Sequence, residues 1–290
     1  MRTDMEVSPT RRLWMALTYV LLAVTAILML VPFAYLVCSA FKTNDDVFRS
    51  TFLPAGEGLL GADWSRLTLD NFRRLFTEMD FGRHMLNSVF LASVTSILAT
   101  LASAMGGYAL AKFSFAGRAF FTNFVLAALV IPAAVLIAPT YQLLYWMGLL
   151  DSYAGLILPG IAPAFGVYLF RQAMINSVPN EVLDAARIDG AGELRIFFGM
   201  VIPLVRPMLG AFLLITFLGT WNNFISPQVV LQSSEKFPLS VAISQLKGVY
   251  SQDYALQMAG TLVSIAPVLC LFLLLQKEFI SGLTSGAVKG

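Results

Sequence analysis

Long apolar stretches that are nearly free of charge alternate along the chain with shorter segments that hold most of the charged residues. A transmembrane helix needs about 20 apolar residues, and six of the stretches reach that length. These stretches cover residues 13–40, 85–111, 119–145, 152–172, 207–227 and 256–277. The pattern therefore predicts about six membrane-spanning segments.

The spanning segments are expected to be helices. Lipid offers no partners to backbone N–H and C=O groups, so a span must satisfy them internally or close into a barrel. The two-residue alternation of a membrane barrel is absent from the sequence. We expect an all-α integral membrane protein with one transmembrane domain over residues 13–280 and tails at 1–12 and 281–290.

Composition supports a membrane protein and argues against a soluble domain, a nucleic-acid-binding protein and a protein built on disulfides or a metal cluster. Hydrophobic residues make up 58% of the chain and charged residues 12%, whereas about a quarter of an ordinary soluble domain is charged. The formal net charge of +2 provides no basic patch for nucleic acid. Cys38 and Cys270 fall inside predicted spans, so neither a disulfide framework nor a metal cluster is expected.

The first apolar stretch could also be a signal peptide, because Arg11 and Arg12 precede it. The stretch over residues 13–40 is longer than the apolar region of a signal peptide, which has about 7–15 residues. We therefore expect an uncleaved first span.

The distribution of Lys and Arg predicts the orientation of the spans, because cytoplasmic loops carry an excess of both. The short loop 112–118 is basic, and so are both tails and the segment 171–206, which we place in the cytoplasm. The external segments are then 42–83, the turn around Asp151, and 235–253. Apolar residues at helical spacing predict helices over 68–78 and 239–250 in these external segments.

The predicted spans lack ionisable side chains in their interior, which counts against an ion-coupled secondary transporter. His84, the only histidine, lies at the predicted outer start of the second span. Motifs for phosphate binding, metalloproteolysis and a nucleophilic serine are absent, so no catalytic or metal-binding residue is expected. Prolines such as Pro132 and Pro267 predict kinked or broken spans, which are tolerated where backbone lines a watery cavity.

The segment from Ser177 to Pro207 is predicted to form two short helices joined by a glycine hinge. Pro179 suits a first helical turn, and Glu181 and Asp184 follow near the positive end of the helix dipole. Gly190 can then take the left-handed conformation that ends a helix.

One face of the first helix in this loop is apolar and small. It consists of Val182, Ala185 and Ala186. Small side chains permit a close approach to another surface, so we expect this face to dock against a partner.

The same loop resembles the cytoplasmic loop motif of ATP-binding-cassette importer permeases, which reads Glu-Ala-Ala, three residues, Gly, nine residues, Ile-x-Leu-Pro. Ala185, Ala186, Gly190 and Pro203 match the motif at the family spacing. The departures are conservative: Asp184 for the glutamate, Met200 for the isoleucine and Ile202 for the leucine. A match at several fixed positions is a specific signal.

Further landmarks narrow the resemblance to the carbohydrate-uptake branch of this family, and together they cover almost the whole chain. They are Asn87-Ser88, the stretch Tyr108 to Arg118, Trp221-Asn-Asn-Phe224 and the ending 282–290. The ending is similar to that of the second permease of a maltose-type pair, whose tail can reach the ATPase dimer.

The resemblance implies a type I importer permease fold in a bacterial or archaeal cell (inner) membrane. It implies a heterodimer with a second permease, two ATPase subunits that hold ATP and Mg²⁺, an extracytoplasmic solute-binding protein, and no cofactor on this chain. The residues that it implies for ATPase coupling are Glu181, Asp184, Ala185, Ala186, Asp189, Gly190 and Pro203.

The cargo is expected to be a mono-, di- or oligosaccharide. Sugars need hydrogen-bond partners and an aromatic face, and the candidates for the substrate path are Tyr141, Trp221, Asn222 and Asn223. Trp221 could equally be interfacial, and the asparagines could bond neighbouring helices. A permease for glycerol-3-phosphate or another non-sugar solute, and a stand-alone secondary transporter, remain as alternatives.

Overall fold

A computed structural model of the protein describes residues 9–246 and 253–285. Most of the predicted amino-terminal tail, the end of the predicted helix 239–250 and the end of the carboxyl-terminal tail lie outside the described residues. α-Helices make up nearly all the regular structure. They are α1 (Pro9–Ala40), α2 (Asn44–Arg49), α3 (Asp70–Thr77), α4 (Phe81–Lys112), α5 (Arg118–Val130), α6 (Ile137–Trp146), α7 (Tyr153–Ile157), α8 (Ala164–Ser177), α9 (Asn180–Ile188), α10 (Glu193–Ile196), α11 (Ile202–Leu204), α12 (Arg206–Trp221), α13 (Ile225–Val230), α14 (Leu239–Gln245) and α15 (Tyr254–Ser285).

Four helical segments are long and apolar enough to cross a membrane: Thr10–Ala40, Phe81–Lys112, Tyr153–Ser177 and Tyr254–Lys277. Two bent pairs pass the same test together. They are α5 with Ala133–Trp146, bent by 98°, and Glu193–Leu204 with α12, bent by 83°. The predicted all-α membrane class is therefore confirmed, and the described residues give six spans if each bent pair crosses once.

The first bend has a local cause in the sequence. Ile131 is extended, with φ −77° and ψ 120°, because the ring of Pro132 disfavours the helical region for the residue before it. Val205, at the other bend, has φ −105° and ψ 13°. After this second bend α12 ends at Trp221, so the predicted span 207–227 also includes the start of the separate helix α13.

The chain divides into two compact units, residues 1–79 with 246–263 and residues 80–245 with 264–290. In the first unit, the segment after α1 folds back onto the end of that helix. The side-chain amide of Asn71 donates to the carbonyl oxygens of Ala40 at 2.9 Å and Lys42 at 2.8 Å. These bonds satisfy groups that a helix leaves unpaired at its carboxyl end. Asn71 lies on α3, which confirms the helix predicted over 68–78.

α4 lies at the centre of the second unit and packs against α8 and α12. Its buried face is rich in small residues: Ser88, Ala92, Thr95, Ser96, Ala99, Thr100, Ser103, Ala104 and Gly107. Small residues let membrane helices approach each other closely. At Gly107 an added Cβ would lie 2.7 Å from the backbone nitrogen of Arg171 and 2.7 Å from the Cβ of Phe170. The backbones of α4 and α8 are therefore in near contact at this point.

α4 also connects the two ends of the second unit. It has 32 residues, which corresponds to about 48 Å at 1.5 Å per residue. Near its start, Nδ1 of His84 lies 2.8 Å from the carbonyl oxygen of Phe237. At its last residue, Nζ of Lys112 donates to the carbonyl of Val178 at 2.6 Å. We refer to these as the His84 end and the Lys112 end.

We expect Gly107→Ala to destabilise the protein, because the new methyl group would overlap the backbone of α8. Overpacking of this kind costs about 1–3 kcal/mol. The adjacent Gly106→Ala is a matched control, since its Cβ would only touch the methyl groups of Val167, at 3.4 Å. Thermal unfolding in detergent measures the difference, and equal stability of the two variants would contradict the close packing of α4 on α8.

Candidate functional site

The predicted loop helix is present as α9, and its two ends are formed as the sequence suggests. Pro179 precedes it with φ −66° and ψ 141°. At the other end Gly190 has φ +79°, its N–H donates to the carbonyl of Arg187 at 3.0 Å, and the N–H of Ala191 donates to that of Ala186 at 2.9 Å. This pair of bonds is the Schellman motif, in which a left-handed residue closes a helix. Gly190 therefore ends α9 and separates it from α10, as the predicted glycine hinge requires.

The apolar face predicted for α9 is divided between two sides of the helix. Leu183 and Ala186 are buried, 1% and 7% exposed, in a core cluster with residues of α4, α8, α10 and α12. Val182 and Ala185 are on the exposed side, together with Ile188, which is 86% exposed. The expectation that Ala186 faces a partner is corrected, because residues three apart share a face and Ala186 falls in line with Leu183.

Polar contacts attach α9 to α4 at the Lys112 end. The guanidinium of Arg187 donates to Glu193 at 2.7 Å, and the Tyr108 hydroxyl donates to the other oxygen of Glu193 at 3.0 Å. The hydrogen bond to Glu193 raises the pKa of Arg187. Lys112 also donates to the side chain of Asn180, at 2.9 Å. Glu193 was not predicted, whereas Tyr108 and Lys112 belong to a stretch noted as a family landmark, and Lys112 also begins the basic loop that we place in the cytoplasm.

The remaining predicted coupling residues occupy two places. Glu181, Asp184, Asp189 and Gly190 are exposed around α9. Pro203 lies on the short helix α11, beyond a π-helical turn at 197–201. The structure therefore places Pro203 next to the 83° bend and not on the exposed surface of α9.

A cavity of about 260 Å³ lies near the His84 end, among α4, α6, α7, α12 and α13. The polar residues that line it are Ser88, Thr95, Thr140, Thr220, Asn223 and Ser226. A smaller cavity of about 150 Å³ shares part of this lining, including Thr140 and Ser226, and adds Tyr141. No charged side chain lines either cavity among the described residues.

The structure brings two of the four predicted path residues to these cavities. Asn223 lines the larger one and Tyr141 the smaller one. Trp221 is buried and stacks on Phe217, with ring centroids 5.7 Å apart, so it packs inside the chain instead of lining a cavity. Asn222 lines neither cavity, because its side chain donates to the carbonyl of Leu218 at 3.0 Å at the end of α12.

A second cluster, which sequence reasoning missed, closes the His84 end beside the larger cavity. Asp151 accepts hydrogen bonds from the backbone N–H groups of Gln232 and Ser233, both at 3.0 Å, and from Nζ of Lys236 at 2.8 Å. The bond from Lys236 is the main reason that the pKa of Asp151 lies well below its usual range. The backbone N–H of Asp151 also donates to the carbonyl of Val230, a cavity residue, at 2.9 Å. This cluster joins the loop after α6 to the segment after α13.

Broken spans and a loop helix packed onto the end of a span are features of a membrane permease. Residues 100–277 match the family described as binding-protein-dependent transport system inner membrane component. The chain belongs to this family. It is therefore a multi-pass transport subunit and not an enzyme, and the resemblance based on the loop motif is confirmed.

Individual similar proteins support the same class. The arabinooligosaccharides transport system permease protein AraQ of Halalkalibacterium halodurans is 39% identical over 273 residues, which cover 92% of this chain and 94% of the relative. The lactose transport system permease protein LacG of Rhizobium radiobacter is 33% identical over 279 residues, 96% of this chain and 98% of the relative.

A solved structure confirms the predicted fold. A chain in the crystal structure of a bacterial ABC transporter involved in import of the acidic polysaccharide alginate matches with a TM-score of 0.79 at 24% identity. The match covers 94% of this chain and 99% of that one. The fold is therefore that of an ABC importer permease.

We expect Gly190→Ala to loosen α9, because the left-handed conformation costs a residue with a Cβ about 1–2 kcal/mol. No atom lies within 4 Å of the added Cβ, so the cost comes from the backbone alone. Gly192→Ala is the control, since Gly192 has φ −70° and equally open surroundings. Hydrogen exchange followed by mass spectrometry should show faster exchange of the α9 amides only in Gly190→Ala. Equal rates in both variants would contradict a hinge at Gly190.

Proposed function

We propose that this chain forms one half of the translocation path of an ATP-driven carbohydrate importer, and that a second permease forms the other half. The importer would contain two ATPase subunits that hold ATP and Mg²⁺, and this chain, which would carry no cofactor, would couple to the ATPase through α9. A solute-binding protein would deliver a mono-, di- or oligosaccharide at the His84 end. The family description, which specifies transport that depends on a binding protein, supports the last of these partners.

The observation that carries the coupling proposal is the two-sided surface of α9. One side is fixed in the core by Leu183 and Ala186, while Ile188 on the other side is almost fully exposed. An exposed, large apolar side chain on a firmly held helix suits a groove in a partner. The exposed carboxylates of Glu181 and Asp184 would lie at the rim of such a contact.

The contacts of α9 indicate how motion would reach the spans. When ATP binding closes the ATPase subunits, a helix held in their groove moves with them. The bonds from Tyr108 to Glu193 and from Lys112 to Val178 would pass that displacement to α4. Ser88 and Thr95, which line the cavity near the His84 end, lie 24 and 17 residues before Lys112 on α4, about 36 Å and 26 Å away at 1.5 Å per residue.

The same proposal places the Lys112 end and both chain termini in the cytoplasm of a cell with an inner membrane. Basic residues gather at this end, among them Lys112, Arg118 and Arg187. A Lys/Arg excess in short loops is the usual mark of the cytoplasmic side. α9 would therefore lie on the cytoplasmic side of the membrane, where ATP and the ATPase subunits are present.

The carbohydrate proposal is supported by the names of the relatives, which are an arabinooligosaccharide and a lactose permease. The uncharged polar cavities agree with it. A glycerol-3-phosphate permease would need positive charge near its path, and a secondary transporter would need a coupling group in the spans. Neither kind of group lines the cavities in the described part of the chain.

We expect Ile188→Glu to prevent co-purification of ATPase subunits with the tagged chain and to abolish ATP-dependent uptake of labelled lactose or arabinotriose. A carboxylate would replace an apolar group at a contact that excludes water. The amount of chain in the membrane should not change, because Ile188 is exposed in its own fold. Mass spectrometry of the purified complex and ATP hydrolysis by it provide the measurements.

Leu59→Glu is the matched control, since Leu59 is a 77% exposed apolar residue outside the loop. This variant should retain the ATPase subunits. Normal recovery of ATPase with Ile188→Glu would contradict the coupling role of α9. A chain that purifies alone and moves sugar without ATP would overturn the importer proposal itself.

A further inference from the structure

The larger cavity is lined by threonine hydroxyls that make no hydrogen bond with the residues that the structure describes. A threonine on a helix commonly donates to the carbonyl four residues earlier, as Thr122 does to Arg118 at 2.9 Å and Thr216 does to Phe212 at 2.8 Å. The threonine side chains that line the cavity make no hydrogen bond within the described part of the chain: Thr95, Thr140 and Thr220. These hydroxyls are available to whatever occupies the cavity.

The other polar groups of the cavity are already engaged. The Ser88 hydroxyl accepts from the backbone N–H of Leu239 at 2.7 Å. The side chain of Asn223 pairs with Ser226 through two bonds of 3.1 and 3.2 Å. These residues fix the wall. Thr95 is only 6% exposed as a residue and lines the cavity, and its hydroxyl, unlike that of Thr100, is not closed off from that space. The unpaired groups therefore indicate a polar occupant.

Size and charge define the class of this occupant. A volume of about 260 Å³ lies just below the range of about 300–1,000 Å³ that is usual for small-ligand sites, so it suits one sugar ring better than an oligosaccharide. Hydroxyls both donate and accept, which matches the hydroxyls of a sugar. A carboxylate or phosphate would be buried without a counter-charge. Tyr141, in the adjoining cavity, offers an aromatic face.

We propose that this cavity is a subsite for one uncharged sugar ring of the transported carbohydrate, held by Thr95, Thr140 and Thr220. The proposal rests on the proposed function as a carbohydrate importer. It adds that this permease itself contacts the cargo and selects against acidic sugars.

An unpaired hydroxyl does not by itself make a site. Thr100 and Ser103, further along α4, also have buried hydroxyls without a partner, but they line neither cavity. Ser103 instead packs against Gly166 of α8. Thr100 is therefore the matched control for Thr95, because it has the same side chain on the same helix without access to the cavity.

The test uses the complete importer in native membrane vesicles, with its second permease, ATPase subunits and binding protein. The Thr95→Val/Thr140→Val/Thr220→Val variant keeps the side-chain shapes and removes the hydroxyls. The probes are labelled lactose and arabinotriose, which are neutral, and digalacturonate, which is acidic.

We expect uptake of the neutral probes by the valine variant, measured at low probe concentration, to fall about fivefold for each lost hydroxyl that bonds the sugar. Threonine-to-serine changes at the same positions should keep uptake, and so should Thr100→Val.

The outcomes separate this proposal from the proposed function. Unchanged neutral uptake in the valine variant would overturn the subsite and leave the importer proposal intact. An equal loss in the serine variant or in Thr100→Val would assign the threonines to packing and also overturn it. Uptake of digalacturonate in preference to the neutral probes would overturn the selection against acidic sugars. ATP-dependent uptake of labelled glycerol-3-phosphate by the unaltered importer, with none of the sugar probes, would overturn the carbohydrate assignment itself.

Discussion

The close packing of α4 on α8 is the constraint on which the rest of the second unit depends. Gly107 lets the two backbones approach, and the end of α8 then brings Val178 to the side chain of Lys112. Because α9 starts just beyond Val178, its position follows from this contact. The same helix α4 carries Ser88 and Thr95 into the cavity wall. The single helix α4 therefore contacts both α9 and the cavity. The number of α4 residues between Lys112 and Thr95 sets the distance between these two sites.

Features that depend on neighbouring residues could be predicted from the sequence. The apolar stretches indicated the spans, helical spacing indicated α3, and the left-handed conformation of Gly190 followed from the absence of a side chain. A kink or break at Pro132 was expected, but its angle was not, because the proline ring fixes where a helix is interrupted and not the angle that follows. The observed angle between α5 and Ala133–Trp146 is 98°.

Features that join distant parts of the chain could not be predicted. Tyr108 and Glu193 are 85 positions apart, and so are Asp151 and Lys236. The sequence also could not predict which face of α9 is buried. Both faces carry apolar residues, and only the surrounding core distinguishes them. Trp221 shows the same limit, since an aromatic side chain near polar neighbours can serve packing or binding equally well.

The attachment of α9 to the core depends more on packing than on charge. Arg187 and its partner Glu193 are partly exposed, and such pairs contribute about 0.2–1 kcal/mol, whereas burial of a leucine such as Leu183 contributes about 1.5–3 kcal/mol. The ion pair therefore orients α9 while the apolar contacts hold it. Protein cores are close-packed and transmit strain, so a force applied at Ile188 would move the helix and core together. The threonine hydroxyls of the cavity make no hydrogen bond within the described residues, and under the proposal above a sugar ring would supply their partners.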